Sequence, residues 1–171
     1  MSHEAVRYDF RDKDADYAAL ARELKALLAG ERDVIANAAN ATSLIYGALP
    51  DVNWCGLYFL KEGELVVGPF QGKPACVRIP LGKGVCGTAA AQRTTQVVPD
   101  VHAFPGHIAC DAASRSEIVI PLLKKGNLLG VLDLDSPRLA RFDDADRRGL
   151  ERIAEVFVES VALSRAPLFD P

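Results

Sequence analysis

Four cysteines, at positions 55, 76, 86 and 110, carry the widest chemical range in this sequence. A thiolate can attack an electrophilic sulfur, bind a soft metal or join a disulfide. Cys110 lies in Phe104-Pro-Gly-His-Ile-Ala-Cys-Asp-Ala-Ala-Ser, a glycine-containing polar run with His107 three residues before it. Such a loop can expose a thiolate favoured by the imidazole. It can equally tuck a small apolar side chain beneath itself. Cys86 opens a short alanine-rich helix, where the dipole favours a thiolate, and Cys76 follows Pro74 at the start of a strand. Either can also be ordinary packing. Cys55 alternates among core-type residues and reads as buried and inert. His102, His107 and Cys110 offer soft ligands within nine positions, but no Cys-x-x-Cys accompanies them, so no metal is expected.

The second chemical group is acidic. Asp133 and Asp135 stand two apart in an apolar run, Val131-Leu-Asp-Leu-Asp, so on a strand both point to one face. Two carboxylates side by side repel, and one can hold a proton near neutral pH. That suits acid catalysis or the binding of an ammonium group. The plain alternative is a solvated edge just before Ser136-Pro137. Glu117 begins the partner strand and can join them. Trp54, the one tryptophan, is either core or the aromatic wall of a pocket for a methyl group or a sulfur.

The elements that position these residues follow from periodicity. Tyr17, Leu20, Leu24, Leu27 and Leu28 recur at helical spacing between about Asp14 and Ala29, with Asp12 or Asp14 as cap and Gly30 as stop. A second helix runs from about Asp33 to Tyr46, closed by Gly47 and Pro50. Trp54 to Leu60 and Leu65 to Phe70 form a hairpin around Gly63. Val77 to Ile79 is a short strand stopped by Pro80, Val85 to Gln92 a short helix, and Gln96 to Val98 a further strand. From Pro99 to Ser116 no period survives, and a loop of that length inside a compact fold is often functional. Glu117 to Leu123 and Leu128 to Leu134 form a second hairpin around Lys125-Gly126-Asn127. A final helix covers about Asp143 to Leu163, with Leu150, Ile153, Val156, Phe157 and Val161 facing inward. Helices at both ends and hairpins between them predict an α+β fold, a central antiparallel sheet with the terminal helices packed on one face. The 171 residues form one domain, with a core of about 14–164 and no internal repeat or linker.

Composition excludes several classes. A net charge of −3 argues against a nucleic-acid surface. No apolar run is long enough to span a bilayer, and the polar start of the chain is not a signal peptide, so the expected address is the cytoplasm. Cysteines there should be thiols rather than structural bridges.

Three blocks are more specific than these general patterns. They are Cys76-Val-Arg-Ile-Pro-Leu-Gly-Lys-Gly-Val-Cys-Gly-Thr-Ala-Ala, Val98-Pro-Asp-Val-His-Ala-Phe-Pro-Gly-His-Ile-Ala-Cys-Asp-Ala-Ala-Ser-Arg-Ser-Glu-Ile-Val-Ile-Pro-Leu, and Gly130-Val-Leu-Asp-Leu-Asp-Ser-Pro. Together they resemble the free methionine-(R)-sulfoxide reductases, a family of GAF-domain proteins, over nearly the whole chain. The resemblance implies a catalytic Cys110, a disulfide partner in Cys76 and a third functional cysteine in Cys86. It implies a substrate pocket of Trp54, Tyr58, Glu117, Asp133 and Asp135, with the Ser114-Arg115-Ser116 backbone holding the substrate carboxylate. It also implies a homodimer, recycling by a dithiol reductant such as thioredoxin, and no cofactor. The alternative is a GAF sensor that binds a small molecule and does no chemistry, since one scaffold hosts many functions. The cysteine set combined with the acidic cluster favours the enzyme.

Overall fold

A computed structural model describes residues 8–106 and 112–162 of the chain. Four helices and six strands follow in the order α1 (Lys13–Leu27), α2 (Val34–Ala48), β1 (Trp54–Lys61), β2 (Glu64–Gly72), β3 (Arg78–Pro80), α3 (Gly84–Gln92), β4 (Gln96–Val98), β5 (Ser116–Lys124), β6 (Asn127–Ser136) and α4 (Asp144–Ser160). The strands form one antiparallel sheet in the order β3-β2-β1-β6-β5-β4.

Side-chain oxygens start the three long helices. Asp12 accepts from the Ala15 amide, Asp33 from the Ala36 amide, and Asp143 and Asp146 form a reciprocal capping box on α4. Of the two candidate caps for α1, Asp12 is the one used. The helix ends at Leu27, before Gly30, where the hydrogen bonding tightens: the Ala29 amide donates to the Ala26 carbonyl and the Glu31 amide to the Leu28 carbonyl. At the other end of the fold α4 stops at Ser160. Its last carbonyls are taken by Lys124, which donates to Val158 and Val161, and by Arg32, which donates to Glu159. β3 is shifted by one residue from the expected Val77–Ile79 and includes Pro80. Its place at the sheet edge tolerates a proline that donates no ladder bond. The irregular stretch before β5 contains one turn of 3-10 helix, Val101–Ala103, and the strand begins at Ser116.

Strand alternation separates two faces. Cys55, Leu57, Ile118, Ile120, Leu132 and Leu134 point to the face covered by α1, α2 and α4, where the larger apolar core lies. Trp54, Tyr58, Val119 and Val131 point to the opposite face, beneath α3. Among the described residues no helix is long and apolar enough to cross a membrane.

Candidate active site

Cross-strand register assembles the site on the α3 face. Glu117 on β5 stands opposite Asp135 on β6, and Asp135 stands opposite Trp54 on β1. One pair further along, Asp133 lies between Val119 and Gly56. Because side chains alternate, Glu117, Asp133 and Asp135 share one face. Strand β6 is in the middle of the sheet, so the solvated edge considered for the two aspartates does not exist. Glu117 and Asp133 are each 6% exposed.

Above them sits the first turn of α3. Cys86 is buried, and its Sγ–H donates to Glu117 Oε1 at 3.9 Å. The cavity beside this group is lined by Trp54, Tyr58, Lys73, Lys83, Val85, Ser114, Glu117, Asp133 and Asp135, among others. Its wall is aromatic. The Trp54 indole stacks on Phe70 at 5.4 Å between centroids, with Tyr58 at 5.9 Å. Two carbonyls fix the pair: Trp54 Nε1 donates to Lys73 at 3.0 Å, and the Tyr58 hydroxyl to Cys76 at 3.1 Å. Gly56 makes room for the indole, since a Cβ there would come within 2.2 Å of Trp54 Cη2. The aromatic wall therefore depends on a missing side chain two residues along the same strand.

The electrostatics follow from burial. Burial pushes Glu117 well above the usual carboxylate range, and the neighbouring Asp133 and Asp135 charges add to it. Asp133 is pushed up to about 7 by burial, against which its hydrogen bonds to Cys86 and Glu117 work. Burial, then the charges of Asp133 and Glu117, push the Cys86 thiol up. Asp133 Oδ1 is buried without a hydrogen-bond partner among the described residues. A buried acceptor left in that state costs on the order of 1–3 kcal/mol, more if charged, until a donor arrives. The cavity thus holds paired acids of raised pKa, one orphan acceptor and an aromatic wall, with Lys73 and Lys83 on its lining.

Comparison with known proteins gives this geometry a family. The GAF domain model matches residues 14–161. Free methionine-R-sulfoxide reductase of Escherichia coli K12 is 54% identical over 142 residues, which cover 83% of this chain and 86% of that one. A crystal structure of a putative GAF sensor protein from Burkholderia vietnamiensis is 63% identical, covers 88% of this chain and 96% of its own, and superposes with a TM-score of 0.85. The structure of free methionine-R-sulfoxide reductase from Neisseria meningitidis in complex with its substrate is 42% identical, with coverage of 93% and 95% and a TM-score of 0.88. The chain belongs to the free methionine-R-sulfoxide reductase family of GAF-domain proteins.

Within that family frame, the structure brings most of the sequence-predicted residues together. Trp54, Tyr58, Cys86, Ser114, Glu117, Asp133 and Asp135 all line the cavity. Cys76 packs against the same apolar cluster and is disulfide-bonded. Cys110 and His107 lie outside the described residues, and His102 is exposed on the 3-10 turn. The triplet at the start of β5 divides. The Ser114 hydroxyl accepts from Asn53 Nδ2 at 3.2 Å. The Arg115 amide donates to the Ser136 carbonyl, and the Ser116 hydroxyl donates to the Arg138 carbonyl, on the loop before α4. Cys55 is fully buried on the helix-covered face, away from this cavity.

Sequence reasoning missed Lys73 and Lys83, which bring cations to an otherwise acidic cavity. Lys83 also sits at the N-cap of α3 and makes no side-chain cap bond there. The signal was present in Pro80-Leu-Gly-Lys-Gly, a glycine-flanked lysine ahead of a helix.

Proposed function

We propose that this protein is an oxidoreductase that reduces free L-methionine-(R)-sulfoxide to L-methionine with its own thiols. The observation that carries the reading is the buried Glu117–Asp133 pair, with one Asp133 oxygen unpartnered and no buried cation beside it among the described residues. A free amino acid supplies the missing charge as its ammonium. A peptide-bound residue does not, and would leave the acids unpaired. Trp54 and Tyr58 receive the S-methyl end, and Lys83 with the first turn of α3 offers positive potential to the carboxylate.

In the chemical step Cys110 attacks the sulfoxide sulfur while a protonated carboxyl, Glu117 by its raised pKa, gives a proton to the oxygen. Methionine leaves and Cys110 carries the oxygen as a sulfenic acid. The Cys76 thiol condenses with it, releasing water and forming a disulfide. A dithiol reductant such as thioredoxin restores both thiols and is itself oxidised. Cys86 is the other thiol within reach of the cavity. The proposed setting is a cytoplasmic homodimer.

The test is methionine released per protein, without reductant and then with it. One equivalent is expected without reductant and steady turnover with thioredoxin. N-acetylated substrate should be poor, and Cys110→Ser should release nothing. A protein that binds the amino acid and releases no methionine would be a sensor instead.

A further inference from the structure

We propose that Cys86, Glu117 and Asp133 form a binding site for a thiophilic divalent cation, with zinc as the representative ion. These are not His102, His107 and Cys110, the soft ligands that the sequence sets close together. One sulfur and two carboxylate oxygens from three different elements lie within 4.8 Å of one another, all from buried residues. Around a tetrahedral zinc with bonds of roughly 2.3 Å to sulfur and 2.1 Å to oxygen, the two ligand atoms stand about 3.6 Å apart. Cys86 Sγ and Glu117 Oε1 are separated by 3.9 Å, so that pair needs only a few tenths of an ångström of closure, and the third ligand atom stands within 4.8 Å of both. The independent sign of a ligand is Asp133 Oδ1, which is buried against the cavity with no partner among the described residues.

The donor set selects the ion. One soft thiolate with two carboxylates suits zinc or cadmium, whereas magnesium and calcium take six or more oxygen ligands. Three protein ligands leave a fourth position for water on the cavity side. Binding replaces the Cys86 S–H bond with a sulfur–metal bond, that proton and any held by Glu117 and Asp133 leave to solvent, and no oxidation state changes. The ion would occupy the place assigned above to the substrate ammonium, so cation and amino acid exclude one another. That last consequence rests on the proposed function; the metal site itself does not.

The test uses the intact protein, first oxidised. Cys76 is then in its disulfide, and Cys86 and the buried Cys55 are the free thiols among the described residues. Cobalt(II) is titrated and followed by sulfur-to-cobalt charge-transfer absorption, and zinc by calorimetry. The expected result is a single equivalent with a charge-transfer band. Cys86→Ser and Glu117→Gln should each lose at least the ~10–100-fold in zinc affinity typical of groups that merely support ligands. Cys55→Ser should bind as the parent does. Absence of the band, or zinc affinity unchanged in Cys86→Ser, would overturn the proposal. The parent cobalt spectrum decides the matter even if a variant fails to fold. In a second arm, free methionine should displace the cation. A cation held by Cys86 that methionine does not displace keeps the metal site and counts against the amino-acid reading of the cavity.

Discussion

Two buried acidic sites in this molecule are built in opposite ways. Asp146, fully buried at the start of α4, is surrounded by partners. Its Oδ2 meets Lys13 at 2.7 Å and its Oδ1 meets Arg141 at 3.1 Å and the Tyr17 hydroxyl at 2.8 Å. Its Oδ2 also accepts from the Asp143 amide at 2.9 Å. Glu117 and Asp133, under α3, have each other, Cys86 and an unfilled acceptor. The first site ties α1, α4 and the loop carrying Arg141 together. The second leaves its charge demand open to whatever enters the cavity. Buried charge is thus a structural clamp where the fold supplies the counter-charge; where it does not, the role proposed above is recognition.

The largest effect expected from this contrast is on activity. Asp133→Asn should lower kcat/KM for free methionine-(R)-sulfoxide on the order of 10²–10⁴-fold, because an ammonium then meets a neutral amide. The same variant should unfold at a temperature no lower than the parent, since it removes a buried charge that has no buried cation beside it among the described residues. Steady-state kinetics and a thermal melt together check it, and a destabilised but fully active variant would break the contrast.

Asp146→Ala should do the reverse. It strands Arg141, 7% exposed, and the partly buried Lys13, and removes half of the α4 capping box. The expected cost is about 3–5 kcal/mol in urea unfolding, with activity per folded molecule retained. Parent-like stability would show that the ion cluster only decorates the helix ends.

Proton linkage separates the two sites further. Glu117 and Asp133 are raised in the folded state, so the stability they contribute is complete below their unfolded pKa and is lost as pH rises, for Asp133 through about 7. Asp143, beside Asp146, is lowered to about 2: burial opposes this, but its bonds to Lys13 and to the Asp146 amide outweigh it. Its contribution is complete above the unfolded carboxylate pKa and is lost as pH falls toward 2. The melting-temperature gain from added free methionine should therefore grow between roughly pH 5 and pH 8. A gain that stays flat across that range would argue that the site acids do not bind the ammonium.

The smallest effect belongs to Cys55→Ser. The thiol lies in the helix-covered core, where burial pushes its pKa well up, followed by the charges of Asp133 and Asp135. A buried hydroxyl in its place should cost about 1–3 kcal/mol and leave methionine release unchanged.

Much of this was legible in the sequence because the signals are local. Two-residue periodicity put Asp133 and Asp135 on one face, and Asp12, Asp33 and Asp143 announced helix starts. The two hairpins and the terminal helices were placed by pattern alone. What local pattern cannot carry is the order of strands. Whether Asp133 is solvated or buried depends on β6 lying between β1 and β5, which is decided 77 residues away, where β1 pairs with it: Gly56 stands opposite Asp133 — a separation read from the register and not from any motif. The approach of Cys86 to Glu117 was hidden for the same reason, since a helix start gives no hint of which strand it covers. Lys73 and Lys83 look like surface lysines until the cavity is drawn around them.

The single tryptophan of the chain is also the wall of its cavity. No other indole contributes to the emission of this protein, so its fluorescence is a private signal from the site. The indole is clamped by its bond to the Lys73 carbonyl, stacked on Phe70 and seated over the bare backbone of Gly56. Filling the cavity must change what surrounds that ring, and Gly56→Ala must unseat it. The protein therefore carries its own optical titrant, one that reads occupancy directly, in the absence of turnover and without a label.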